Sequence, residues 1–153
     1  MKRELAHDFV VAMEAGNWER ANELIPRTAA LHKQLGLKVL GREGDTLSMT
    51  MELSESVQGT SEGTIHGGIL ATFADVVSAF AIRGADFAGN LMPVTTDMHV
   101  RYYRQPRSGP LKAEATLVHR GRRLLSTECV IADAEGRILA RSTATYALVP
   151  LRE

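Results

Sequence analysis

Cysteine is almost missing from this chain: Cys129 is the only one in 153 residues. That excludes an internal disulfide and suits a reducing compartment. An excess of charge is missing too. The 18 basic and 18 acidic side chains cancel, so no global field draws the chain to nucleic acid or to an anionic membrane. Phosphate recognition would have to come from a local cluster. The five histidines are scattered at His7, His32, His66, His99 and His119, and no His/Cys group has zinc spacing, so no metal is expected. No apolar run reaches membrane-spanning length. Lys2 and Arg3 open the chain, but the acids Glu4, Asp8 and Glu14 come close behind them, against a secretory signal. There is no internal repeat and no low-complexity tract. A soluble, cytoplasmic chain with one sizeable core is the expectation these absences leave.

What is present centres on Gly63-Thr64-Ile65-His66-Gly67-Gly68 and the apolar run behind it. Ile69, Leu70, Phe73, Val76, Val77, Phe80 and Ile82, with alanines between, predict a helix apolar nearly all round, which should be buried. Its polar side chains, Thr72, Asp75 and Ser78, fall three apart and share one stripe. Asp75 stands out. A carboxylate in a mostly buried helix is paired, hydrogen-bonded or functional, because desolvating it alone is costly.

Before this stretch, Leu5, Phe9, Val10 and Met13 predict a helix over 2–15, stopped at Gly16. Asn17 caps a second helix over 18–25, Pro26 breaks or kinks it, and a further turn runs to Leu35 before Gly36. This helical extension, 1–36, either closes a pocket or packs on the outside. From Leu37 the period becomes two. Residues 37–41 and 46–53 read as strands joined by a turn over 42–45, with Leu47, Met49, Met51 and Leu53 on one buried face. A polar loop over 54–63 leads to the helix, and 84–93 connects it onward. Four strands come after it, over 94–104, 111–117, 125–133 and 138–149. Tyr102 and Tyr103 read as core and strand packing. One mainly antiparallel sheet curved around one apolar helix, over 37–153, is the economical architecture.

Gly67 and Gly68 fall at the helix N-terminus, where the first N–H groups lack intrahelical partners and no side chain blocks an approaching oxygen. The positive end of the helix dipole favours negative charge there. That describes an oxyanion hole for acyl transfer, with His66 orienting the loop or bonding the substrate. The same glycines could simply let the helix start close to the sheet. Nine residues separate His66 from Asp75, roughly 13 Å along a helix. One acyl carbon cannot touch both ends of that span. If both act on one carbonyl, they come from different subunits.

The HGG stretch, the acid nine positions after its histidine and the strand sequence Val94-Thr95-Thr96-Asp97-Met98-His99-Val100-Arg101-Tyr102 resemble the hotdog-fold acyl-CoA thioesterases of the phenylacetate-degradation (PaaI-like) type. The likeness covers about 37–149. It implies an α+β hotdog fold, with an antiparallel sheet wrapped around one long helix, and subunits paired as dimers, often as tetramers. It implies that Gly67 N–H polarises a thioester carbonyl with His66 in support, that Asp75 from the partner subunit is base or nucleophile, and that Thr95 supplies a further hydroxyl. Thr60 stands where many relatives carry Asn. Thr60, Gly68 and Ser78 join Arg104, Arg120 and Arg122 as expected substrate contacts. Arg107 and Arg123 would add to the phosphate site of coenzyme A if the two arginine loops converge. Coenzyme A enters as part of the substrate, and no resident cofactor is implied. A non-catalytic acyl-CoA-binding or regulatory protein, and less favourably a dehydratase, are the alternatives.

Overall fold

The computed structural model describes residues 2–83 and 91–150. Three helices come first: α1 (Lys2–Glu14), α2 (Trp18–Thr28) and α3 (Ala30–Gln34). Gly16 and Gly36 end the first and last of these with φ of 65° and 57°, the left-handed conformation in which glycine ends a helix without steric penalty. Asn17 caps α2 by accepting from Arg20 N–H at 3.1 Å. Pro26, expected to break or kink α2, does not break it. It sits in the last turn, where its missing N–H forfeits one hydrogen bond, while buried Leu24 and Ile25 hold the segment in place. The break falls instead at the extended Ala29.

The extension packs inward. Phe9, Met13, Leu24 and Ile25 belong to the same buried cluster as the central helix. Phe9 meets Phe80 with ring centroids 4.9 Å apart, and His32 meets the same ring edge-on at 5.4 Å. Burying an apolar side chain of this size is worth about 1.5–3 kcal/mol.

Two strands, the long helix and four more strands complete the chain in the expected order. They are β1 (Lys38–Glu43), β2 (Thr46–Met51), α4 (Gly67–Arg83), β3 (Leu91–Tyr102), β4 (Leu111–Arg120), β5 (Leu124–Ala132) and β6 (Ile138–Pro150). The turn between β1 and β2 is Gly44-Asp45, shorter than the four residues expected. Strand β3 begins earlier and ends sooner than its sequence suggests, and most of the 84–93 connection lies outside the described residues. All pairings are antiparallel, in the order β1-β2-β4-β5-β6-β3. Alternation along β2, β4 and β5 puts Leu47, Met49, Leu111, Ala113, Leu125, Cys129 and Ile131 on the buried side, and α4 packs across that side from β2 to β6. This is the hotdog arrangement. Cys129 lies within it, its thiol pushed up to about 12 by burial and by the nearby Glu114 charge.

The two sheet edges are finished differently. Along β1, the Asn22 carboxamide of α2 accepts from Val39 N–H at 2.7 Å and donates to Val39 C=O at 3.0 Å. Along β3, no second strand pairs among the described residues. Pro93 fits there, since a residue without N–H is tolerated at an edge.

Candidate active site at the open edge

The central helix is pinned at both ends. At its C-terminal end the Arg42 guanidinium donates to Phe80 and Ala81 carbonyls at 3.3 and 2.8 Å, a cation where the helix dipole is negative. At its N-terminal end His66 C=O accepts from Ile69 and Leu70 N–H. Among the described residues nothing accepts from Gly67 or Gly68 N–H. A side chain at Gly68 would meet open space. At Gly67 a Cβ would stand 3.3 Å from the Tyr102 ring, so glycine there lets the ring lie against the donor. The His66 side chain is exposed.

The stripe of three polar residues resolves into three roles. Thr72 returns its hydroxyl to Gly68 C=O at 2.9 Å. Ser78 is buried beside the Tyr146 hydroxyl, deeper than a substrate contact is expected to lie. Asp75 faces β3 and β6, where Thr95 Oγ1 donates to its Oδ1 at 2.7 Å and Tyr146 OH donates to the same oxygen at 2.9 Å. Burial, and then the adjacent Asp75 carboxylate, push the Tyr146 hydroxyl far above its ordinary range, so it stays a donor. Nothing among the described residues donates to Oδ2. One carboxylate oxygen is held by two hydroxyls, and the other is free to take a proton or to attack.

Thr95 reaches Asp75 because of a bulge. The β3–β6 register slips between Thr95 and Asp97, and Thr96 turns its hydroxyl to Thr145 at 2.8 Å. An extra residue in an edge strand re-aims the neighbouring side chain. Tyr146 escaped the sequence reading. Its signal was faint: a buried tyrosine hydroxyl requires a partner, but the partner depends on strand register.

Several expected residues do not come together in one chain. Gly67 and Asp75 are eight residues apart on one helix, about 12 Å. Thr60 stands at the exposed tip of the loop between Gln58 and Ile65. The two arginine loops do not converge. Arg104 and Arg107 lie just past β3, at the sheet end where β4 begins, whereas Arg120, Arg122 and Arg123 lie where β4 ends. Ten residues of strand separate the two ends by about 30 Å. Arg120 stands 3.8 Å from Asp45 in the β1–β2 turn. Tyr102 and Tyr103 are not core residues: both are 49% exposed, on and just beyond the open edge.

Known proteins match both the sequence and the fold. A family model described as the thioesterase superfamily matches residues 62–140, slightly over half of the chain. Among curated relatives, a putative esterase of Haemophilus influenzae is 25% identical over 133 residues, covering 87% of this chain and 94% of its own. Matches to putative esterases of Saccharolobus solfataricus and Halobacterium salinarum, 23% and 41% identical, cover 55% and 41% of this chain and span 55% and 42% of those proteins. A Haemophilus influenzae thioesterase structure superposes with a TM-score of 0.79 at 24% identity, covering 89% of this chain and 92% of that one. The Escherichia coli PaaI protein from the phenylacetic acid degradation operon gives 0.72 at 20%, covering 83% and 89%. A hypothetical thioesterase from Streptococcus pneumoniae, solved with coenzyme A, gives 0.64 at 22%, covering 76% and 88%. The matched segment contains the Gly67–Gly68 donors, Asp75 and Thr95 together, and the chain belongs to the thioesterase superfamily.

Proposed function

We propose that the protein hydrolyses an acyl-CoA thioester to a free acid and coenzyme A, at a site assembled from two copies of the chain. Membership in the thioesterase superfamily supports the reaction class. The relative solved with coenzyme A supports the substrate class. The observation that carries the chemistry is the Asp75 carboxylate, held through Oδ1 by Thr95 and Tyr146 with Oδ2 left free.

The open edge suggests how the site is completed. Two β3 strands paired antiparallel about a two-fold axis near Met98 would exchange ends, because Thr95 and Tyr102 lie almost equally far on either side of it. Asp75 and Thr95 of one copy would then stand across from Tyr102 and Gly67 of the other. Leu91 and Val94, 39% and 40% exposed, would be covered with the tyrosines. In that dimer, Gly67 and Gly68 N–H of one chain hold the oxygen of the thioester carbonyl as it gains charge. Asp75 Oδ2 of the other chain takes a proton from the attacking water, or attacks the carbonyl carbon itself to form an acyl–Asp75 anhydride that water then cleaves to the free acid and Asp75. The coenzyme A thiolate departs and is protonated. His66 supports the donor loop, and Thr60 and the arginines bind the remainder of the substrate. Exchange of sheet ends would also let arginines from opposite ends of two chains serve one nucleotide. A homotetramer, a cytoplasmic location and the absence of a resident cofactor belong to the same proposal.

Complementation tests it. Asp75→Asn removes the base, and Gly67→Pro removes one N–H at a first helical position, which proline tolerates. Each variant alone should release almost no thiol from an acyl-CoA panel. Co-refolded in equal amounts, they should regain about a quarter of wild-type activity, since half the dimers are mixed and each has one intact site. No regain, with both variants folded, would place the site within one chain. Absence of thiol release by the wild-type protein from short, long and aromatic acyl-CoAs would refute the hydrolase reading.

A further inference from the structure

We propose that Gln105 is the positioning residue for the Gly67–Gly68 donors; this rests on the hydrolase reading above. The Gln105 carboxamide grips both backbone polar groups of a single residue. Its Oε1 accepts from Ile65 N–H at 2.8 Å, and its Nε2 donates to Ile65 C=O at 3.3 Å. In effect the side chain replaces a neighbouring strand. On its other side Ile65 makes an isolated antiparallel bridge with Gln58, and its own side chain is buried. Ile65 is therefore fixed from three directions, two residues before Gly67.

Gln105 is itself held. Tyr103 N–H donates to Leu139 C=O at 2.8 Å, and Pro106 is buried. Arg107 N–H donates to Asp133 Oδ2 at 3.2 Å. Asp133 is a buried carboxylate that also accepts from Glu135 and Arg137 N–H and from the Arg137 guanidinium. Burial alone would raise its pKa, but the donors from Arg137 and Arg107 outweigh burial and hold it below the ordinary carboxylate value. The anchor stays ionised, and the path from it to the donors is short: Asp133, the 105–107 backbone, the Gln105 amide, Ile65, Gly67. The glycines bring no side chain of their own to fix the donor loop. Rate is steeply sensitive to such placement, a shift of about 1 Å costing about 100-fold.

Gln105→Met keeps length and packing but removes both hydrogen bonds, and Gln105→Ala is the second variant. With either, kcat on an acyl-CoA should fall at least about tenfold while KM stays within about threefold. The melting temperature should show the variant folded. Amide exchange gives a readout independent of turnover. Ile65 N–H should exchange slowly in the wild-type protein and at least about tenfold faster in both variants. Wild-type kcat in a folded Gln105→Met protein, or unprotected Ile65 in the wild type, would overturn the assignment and leave the hydrolase reading standing. A wild-type protein with no thiol release would instead remove the reading on which it rests.

Discussion

The β1 and β3 edges show two ways to end a sheet. An unpaired strand exposes a row of N–H and C=O groups that invites another strand. At β1 the invitation is withdrawn: α2 lies against the strand, and the Asn22 amide fills the hydrogen-bonding positions of Val39. At β3 nothing among the described residues pairs with the strand's outer side over its twelve residues, and Leu91, Val94 and Tyr102 are uncovered. One of the two hydroxyls that hold Asp75 comes from this same strand. The difference teaches that the extension covers one border, while the strand that holds Asp75 forms the other, where the proposed chemistry and association would meet.

The comparison breaks most sharply at Asp75. Asp75→Asn keeps shape and both hydroxyl neighbours, so kcat should fall at least about 100-fold with little loss of melting temperature. A folded variant retaining a tenth of the wild-type kcat would move the chemistry away from the open edge. Next in size, Val94→Glu puts a carboxylate on the β3 border. Sedimentation should show mainly monomer, and activity should drop at least about tenfold, since a buried interfacial charge is costly. An active monomer would dissolve the link between edge and site. At the closed border Asn22→Ala orphans two Val39 groups. It should cost roughly 1–3 kcal/mol in denaturant unfolding while leaving kcat within about twofold; a large loss of kcat there would make the borders equivalent.

The smallest effect concerns acid. Burial holds the His32 imidazole below its ordinary value of 6.5, beside Thr28 at 2.8 Å and against Phe80. Folding therefore favours the neutral ring. Its contribution is complete above about pH 6.5 and is lost as pH falls through 6.5 toward the folded value. Melting curves should show the wild-type protein losing more stability from pH 7 to 5.5 than His32→Gln does. Parallel losses would remove His32 from the account of how the extension is held.

Much of this was legible from periodicity. The buried helix is announced by an apolar run with one acid in it, and the strands by alternation between turn signals. The anomaly at Asp75 led to the place where the two hydroxyls converge. What stayed hidden depends on register. Tyr146 lies 71 positions from Asp75, Gln105 lies 40 from Ile65, and Asn22 lies 17 from Val39. No local pattern reveals such partners, because each depends on how far one strand or helix has slid along another. The arginine loops were harder still: both sit beside strands and both are basic, but a strand has two ends, and only the pairing shows which loop belongs to which.

The buried thiol of Cys129 has a practical consequence. Hydrolysis of an acyl-CoA is followed through the sulfhydryl it liberates, using aromatic disulfides that react with thiolate. A protein whose single thiol is buried and pushed up to about 12 holds almost no thiolate near neutrality. It should neither consume the dye nor be inactivated by it while folded. Colour developed in the assay then counts product alone, and a slow extra equivalent would count unfolded protein.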